Sequence, residues 1–261
     1  MNRKTKKVNL QINKIEIAMN RLSKVISAIM LIIAVVITTG CTKTDDPNNG
    51  GNNGGGGNTL NGHEYVDLRL PSGTLWATCN VGATTPEDYG DYFAWGETTT
   101  KTTYNWGTYQ YCNGGDGWNT LTKYCGSTDY GYNGFTDNLT VLQAGDDAAT
   151  ANWGIGWSMP TQEQCQELLD NTTNKWTTQN GVNGRLFTAR NGKTLFLPAA
   201  GCRLDNELSD IGSWGCYWTS SLTAGSPYDA WYLELTRFYS AGLSGMVYRY
   251  TGFPIRPVCE H

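Results

Sequence analysis

Chemistry in this chain has to be assembled almost without histidine. Its 261 residues include only His63 and His261, which flank the predicted core, so a Ser-His-Asp or Cys-His arrangement and a histidine-based metal centre are both excluded. No Gly-x-x-x-x-Gly-Lys-Ser/Thr run occurs, and the scattered glycines lack the strand-turn-helix context of a phosphate cradle. Carboxylates remain, because hydrolysis of a glycosidic bond needs only two acids at the right separation. Glu163 and Glu167 stand one helical turn apart, and Asp146 and Asp147 are consecutive. Each pair has a simpler reading: the first is a solvated helix face, and the second opens a short helix, where the dipole favours an anion. Calcium chemistry lacks its usual marks. Neither Glu-Pro-Asn nor Gln-Pro-Asp is present, and the stretch from Asp129 to Gly134 lacks the third-position ligand and twelfth-position Glu of an EF-hand loop. Asp205, Glu207 and Asp210 are the one unpatterned acidic group left. The residues predict no catalytic group, no metal and no cofactor, with a polysaccharide-acting enzyme using paired carboxylates as the alternative.

Cysteine is the other reactive side chain. Apart from Cys41, which belongs to the export region, seven remain, an odd number that allows at most three bridges and one leftover thiol. No two have the close spacing that thiolate zinc sites use, so structural disulfides are expected. Cys79 and Cys259 follow the first and last predicted strands, and a bridge between them would close a very long loop worth about 5 kcal/mol. Cys112 with Cys125, and Cys202 with Cys216, would each close a short loop worth roughly 3 kcal/mol. Cys165 is the expected unpaired thiol, because it shares an apolar helix face with Leu168 and Leu169.

The elements that must position these groups centre on the segment from Trp153 to Leu169. Thr161 sits where an N-cap belongs, Gln164 can reach back to it, and Cys165, Leu168 and Leu169 fall on one face. Asp146 to Asn152 reads as a second, short helix. Alternation from Glu64 to Leu70, a turn at Pro71-Ser72-Gly73 and the run from Leu75 to Val81 predict two strands. Further strands are predicted at Arg185 to Thr188, Thr194 to Leu197, Tyr217 to Ser220, Ala230 to Leu235 and Met246 to Tyr250, and the chain closes on Pro254 to Val258. Thr84 to Thr140 shows little periodicity and reads as an insertion of loops and short strands. Two short helices on twisted antiparallel sheet, with the two ends of the folded part meeting, make an α+β domain over 62–261.

Several stretches carry a resemblance: EYVDLRLPSGTLWATCNVGATTPEDYGDYFAWGET, DDAATANWGIGWSMPTQEQ, LFLPAAG, YWTSS and PIRPVC. In this order they resemble the Fibrobacter succinogenes major paralogous domain, a family of surface lipoproteins of the Bacteroidota. That family is similar to the C-terminal domain of bacterial collagen-like adhesins and, more distantly, to formylglycine-generating enzymes. Trp157, Pro160, Thr161 and Glu163 match the shared core motif, with Met159 in place of the usual Leu and Cys165 where Trp is common. The resemblance implies a C-type-lectin-like fold with binding surfaces on the loops between the last strands, here Arg203 to Trp214, Leu222 to Ala230 and Arg237 to Tyr250. Those loops offer Asp205, Trp214, Tyr228, Asp229, Arg237, Tyr239, Tyr248 and Arg249 as candidate ligand-binding residues. Aromatic faces with polar neighbours suit sugar rings and also protein hot spots. Most other aromatics, Trp218 and Trp231 among them, are expected in the core. The implied function is a non-catalytic binding or adhesion module for a glycan or protein ligand, with a structural subunit of a surface assembly as a further alternative.

The first forty residues set the address. Thirteen nearly all apolar residues from Val25 to Ile37 follow Arg21 and Lys24, a length that suits a signal-peptide core better than a membrane span. Thr38-Thr39-Gly40-Cys41 resembles a lipobox, which makes 1–40 a lipoprotein signal peptide and Cys41 the acylated residue. Met19 is a second candidate start, and an uncleaved anchor helix is the other reading of the apolar run. Lys43-Thr44-Asp45-Asp46 is similar to the acidic export tag of the Bacteroidota, so an outer-membrane, surface-exposed location is expected. The Gly/Asn stretch within 41–61 reads as a flexible tether. Beyond residue 40 the chain carries 12 Lys/Arg against 22 Asp/Glu and every one of its ten Trp and fifteen Tyr. Without a basic stripe to neutralise phosphates, a nucleic-acid partner is not expected.

Overall fold

A computed structural model describes residues 58–114 and 117–260. The predicted signal peptide, the expected lipidation site at Cys41 and most of the expected tether lie outside the described residues. In chain order the elements are β1 (Thr59–Leu60), β2 (His63–Val66), β3 (Leu75–Ala77), α1 (Ala148–Trp153), β4 (Trp157–Ser158), α2 (Gln162–Asn171), β5 (Thr172–Gln179), β6 (Val182–Ala189) and β7 (Thr194–Pro198). They continue with β8 (Cys202–Leu204), β9 (Glu207–Ser209), β10 (Trp214–Leu222), β11 (Ala230–Thr236), β12 (Gly242–Ser244) and β13 (Val258–Cys259). Two short helices set among antiparallel sheets fit an α+β or mostly-β fold. No helix among the described residues is long and apolar enough to cross a membrane.

The ends of the folded part do meet. One sheet runs β1-β2-β3-β13-β4, with Val258 opposite both Trp76 and Ser158. Upstream of residue 62, β1 pairs with β2 and Leu60 O accepts the Trp157 indole N–H at 3.0 Å. Arg256, wholly buried, bolts the β3 end of this sheet: its Nε donates to Asn80 Oδ1 at 2.7 Å and its Nη1 to Thr78 O at 2.7 Å.

The sheet β10-β11-β12 divides the core in two. Side chains alternate across a strand, so Cys216, Trp218, Ala230 and Tyr232 face one cluster, with Trp95, Tyr109 and Tyr124 of the insertion. Tyr217, Leu233 and Leu235 face the other, with Cys165 and Leu168 of α2 and Phe187, Leu195 and Leu197 of β6 and β7. Covered on both faces, β10 is buried along nearly its whole length and reads as a continuous run rather than an alternating one.

Helix α2 forms where its signals place it. Thr161 Oγ1 accepts from Gln164 N and Gln164 Oε1 accepts from Thr161 N, a complete capping box. Thr161→Ala should therefore cost about 1 kcal/mol, read as a lower urea midpoint with an unchanged denaturant slope. Helix α1 is capped by Asp147, which accepts from Thr150 N at 3.0 Å and also from Met159 N at 2.8 Å.

Four expectations change. Met246 to Tyr250 is not a strand; the chain pairs with β11 only over Gly242–Ser244 and then wraps outward, held by a bridge between Asp229 and Tyr248. Thr172–Gln179, too polar to show alternation, is an eight-residue strand. The insertion holds 3-10 turns at Trp106–Thr108 and Tyr132–Gly134 and isolated bridges, and it buries Tyr92, Phe93, Trp95, Tyr104, Tyr109, Tyr111 and Tyr124. The fourth concerns cysteine: all seven described thiols are free. Cys79 and Cys259 are out of register: Cys259 pairs with Leu75, while Cys79 lies past the end of β3, in the bend that follows Ala77. Cys112 turns its thiol to Gly117 O and Thr120 Oγ1, while Cys125 donates to Ser127 O. Cys202 and Cys216 lie one step past the parallel Gly201–Gly215 bridge, neighbours in register yet unbonded. Cys165 is buried and free, and burial pushes its thiol far above the ordinary range.

Candidate functional site

Four of the eight candidate residues, Trp214, Tyr228, Asp229 and Tyr248, gather around a cavity of about 550 Å³. Trp214 arrives from the start of β10, Tyr228 and Asp229 from the turn before β11, and Tyr248 from the loop after β12. Tyr250, Phe253, Leu204 and Met246 complete most of the wall. The turn is fixed by Ser226, whose hydroxyl donates to Asp229 Oδ2 at 2.8 Å and whose carbonyl accepts from Asp229 N at 2.9 Å. Trp214 is fixed by its indole N–H, which donates to Glu234 Oε1 at 2.8 Å.

The rings form a continuous band. Tyr228 lies 6.2 Å from Tyr248 and Tyr248 5.5 Å from Tyr250, measured between ring centroids. The insertion extends the band at both ends: Trp106 sits 5.0 Å from Tyr250, and Trp118 and Tyr130 sit 6.1 and 5.1 Å from Tyr228. These tilted and edge-to-face contacts each add about 1 kcal/mol beyond burial. They leave some ring surface in water, with Tyr248 and Trp118 both 47% exposed. Met246, at the rim, is exposed as well.

Asp229 is the single carboxylate in the lining. Burial raises its pKa above the usual carboxylate value, opposed by the Ser226 hydroxyl and the Arg249 charge. It can offer one oxygen to a ligand hydroxyl while Ser226 occupies the other. Glu167 is held elsewhere, accepting from Ser72 N and Ser72 Oγ at 2.7 and 2.6 Å, and Glu163 is exposed. Asp146 accepts from Tyr111, Tyr124 and Lys123. The carboxylate pairs visible in the sequence are therefore committed to structure or to solvent.

The other candidates lie away from the lining. Arg249 is wholly buried: its guanidinium donates to Lys123 O and Tyr124 O and lies 5.4 Å from the Trp95 ring centre and 5.3 Å from that of Tyr109. It braces the insertion from beneath the band. Asp205, with φ 49°, is a turn residue between β8 and β9, held by Asn105 Nδ2 at 2.9 Å. Arg237 and Tyr239 lie on the exposed turn between β11 and β12, where Arg237 packs on Phe238. Sequence reasoning missed Trp106, Trp118 and Tyr130. Their signal was aromatic density in a stretch without periodicity, which composition alone could not assign to surface or core. Compared with protein-family models, curated proteins and solved structures, the chain gives no match.

Proposed function

We propose that this chain is a non-catalytic binding module, lipid-anchored through Cys41 at the cell surface, of C-type-lectin-like fold, that holds a glycan in the aromatic cavity. The observation that carries the reading is the band of rings running from Trp106 through Tyr250, Tyr248 and Tyr228 to Trp118 beside one buried carboxylate. Sugar rings stack their C–H faces on aromatic faces, and a sparse set of polar groups fixes orientation. A lining with one carboxylate favours binding over hydrolysis, which takes two acids flanking the bond.

A glycan array probed with the chain tests this. Tyr248→Ala and Tyr228→Ala are each expected to weaken the retained glycan about tenfold, the loss of roughly 1.4 kcal/mol for one stacked ring. Asp229→Asn should weaken it by a similar factor while leaving the rings in place. Unchanged binding in all three variants, or an array with no retained glycan, sinks the reading. Turnover of a polysaccharide that disappears in Asp229→Asn would replace it with the enzymatic alternative.

A further inference from the structure

Arg237 and Tyr239, which the cavity does not use, stand beside a second unabsorbed feature. Strand β5 is the outer strand of the sheet β5-β6-β7. Along β6, Ala189 N bonds Lys193 O and Asn183 O accepts from Ala199 N, so its odd-numbered residues face β7 and its even-numbered ones face β5. In the register Val182 to Gln179, Gly184 to Thr177 and Leu186 to Lys175, the β5 residues bonded to β6 are the odd-numbered ones. An antiparallel ladder alternates, so Asn174, Trp176 and Thr178 turn their N–H and C=O groups outward. No residue of β5 is buried. A row of outward donors and acceptors is a template for one more strand.

Arg185 ties this edge to the aromatic turn. Its Nη1 donates to Asn174 Oδ1 at 2.5 Å, and its Nη2 donates to Thr236 O at 2.6 Å and to Tyr239 O. Phe238 and Tyr239 are 75% and 77% exposed, so two apolar rings project next to the open edge. Arg237 on the turn and Lys175 on β5 are both exposed positive charges, Lys175 on the sheet face opposite Asn174 and Trp176.

We propose that β5 takes up an extended segment of a partner protein as an added strand, with alternate apolar side chains resting on Phe238 and Tyr239 and an acidic residue meeting Lys175 or Arg237. Two other occupants fit less well. The tether at 48–58 contains only Asn and Gly and has no apolar side chain for the rings. A second copy pairing β5 with β5 would bring two Lys175 ammonium groups onto one short ladder, a like-charge contact that edge lysines serve to prevent. This surface shares no residue with the aromatic cavity, so either can fail alone.

Random eight-residue peptides on phage, selected against the full chain, test the proposal. Enriched peptides are expected to alternate apolar residues with at least one Asp or Glu and to slow hydrogen exchange at the Asn174, Trp176 and Thr178 amides. They should bind Thr178→Pro and Tyr239→Ala at least about tenfold more weakly. Thr178→Pro deletes one outward donor without touching the ladder to β6, a position where an edge strand tolerates proline. Should that variant fail to fold, N-methylation of alternate peptide amides removes the same hydrogen bonds from the other side and should give the same loss. The proposal is overturned if no peptide is enriched, or if both the Tyr239→Ala chain and the N-methylated peptides bind as tightly as the parent pair. It is also overturned if the three amides become protected merely on raising the chain concentration, which would make the edge a self-interface.

Discussion

Arg249→Met should destabilise the domain by about 4 kcal/mol, with most of the loss coming from carbonyls rather than from volume. Methionine refills much of the space, but Lys123 O and Tyr124 O lose the guanidinium that donates to them at 3.0 to 3.3 Å. A buried acceptor left without a donor costs about 1–3 kcal/mol. Tyr124 makes the site more sensitive still. It holds φ 56°, a left-handed conformation that is uncommon for a bulky residue and persists only where the surroundings over-determine it. Here the surroundings are Arg249 at its carbonyl, the Asp137 carboxylate accepting its N–H at 2.8 Å, and Asp146 accepting its hydroxyl. Arg249→Lys keeps the charge over Trp95 and Tyr109 but loses the planar fork, so it should recover less than half of the difference. Urea unfolding of the parent and the two variants measures this, and coincident midpoints for the parent and the Arg249→Met chain would remove Arg249 from its bracing role.

The same residue shows where sequence reading reaches its limit. Its position between Tyr248 and Tyr250, in a loop rich in exposed rings, made it look like a ligand contact. What decides otherwise is a partner 125 residues away in the chain, and nothing local to Arg249 announces that partner. The features that were legible are those whose cause is local. The α2 cap rests on Thr161 and Gln164, three residues apart, and it forms as written. The meeting of the two ends also holds: β13 pairs with β3 on the side that β2 leaves open. Cysteine pairing was not legible, because a bridge depends on register: Cys259 pairs with Leu75, and Cys79 falls beyond the end of β3 however well the two strands pair. Strand β5 hid because its sequence, TTNKWTTQ, is polar on both faces. Asn180-Gly181, with φ 47° and 85°, was the hairpin signal beside it. In the cavity, Trp214, Tyr228, Asp229 and Tyr248 were legible as aromatic and acidic residues on late loops, while the rings from the insertion depended on how that insertion folds back.

How it folds back is fixed by Asp146, which gives the second large expectation. Burial alone would raise this carboxyl's pKa, yet bonds from Lys123, Tyr124 and Tyr111 hold it below the ordinary value. Lys123 Nζ and Tyr111 Oη reach it at 2.5 and 2.7 Å, and the Lys123 ammonium also sits over both tyrosine rings. Asp146→Asn leaves the cation without its counter-charge and the two hydroxyls competing for one amide oxygen, a loss of about 3 kcal/mol at pH 6. The pH dependence has a definite direction. The folded chain holds this proton less tightly than the unfolded one, whose carboxyl titrates near 3.8, so the stabilisation is complete above that pH and drains away as the pH falls through the depressed folded value. The gap between parent and Asp146→Asn should therefore be full at pH 6 and much smaller near pH 2. Because Tyr111 and Tyr124 stand edge to face at 5.9 Å, and Tyr124 again with Trp95 at 5.0 Å, loosening them should also loosen the insertion that carries Trp118 and Tyr130. Paired unfolding curves at the two pH values decide it: a gap that is equal at both, or absent at pH 6, would show that Asp146 does not hold the insertion through its ionised form.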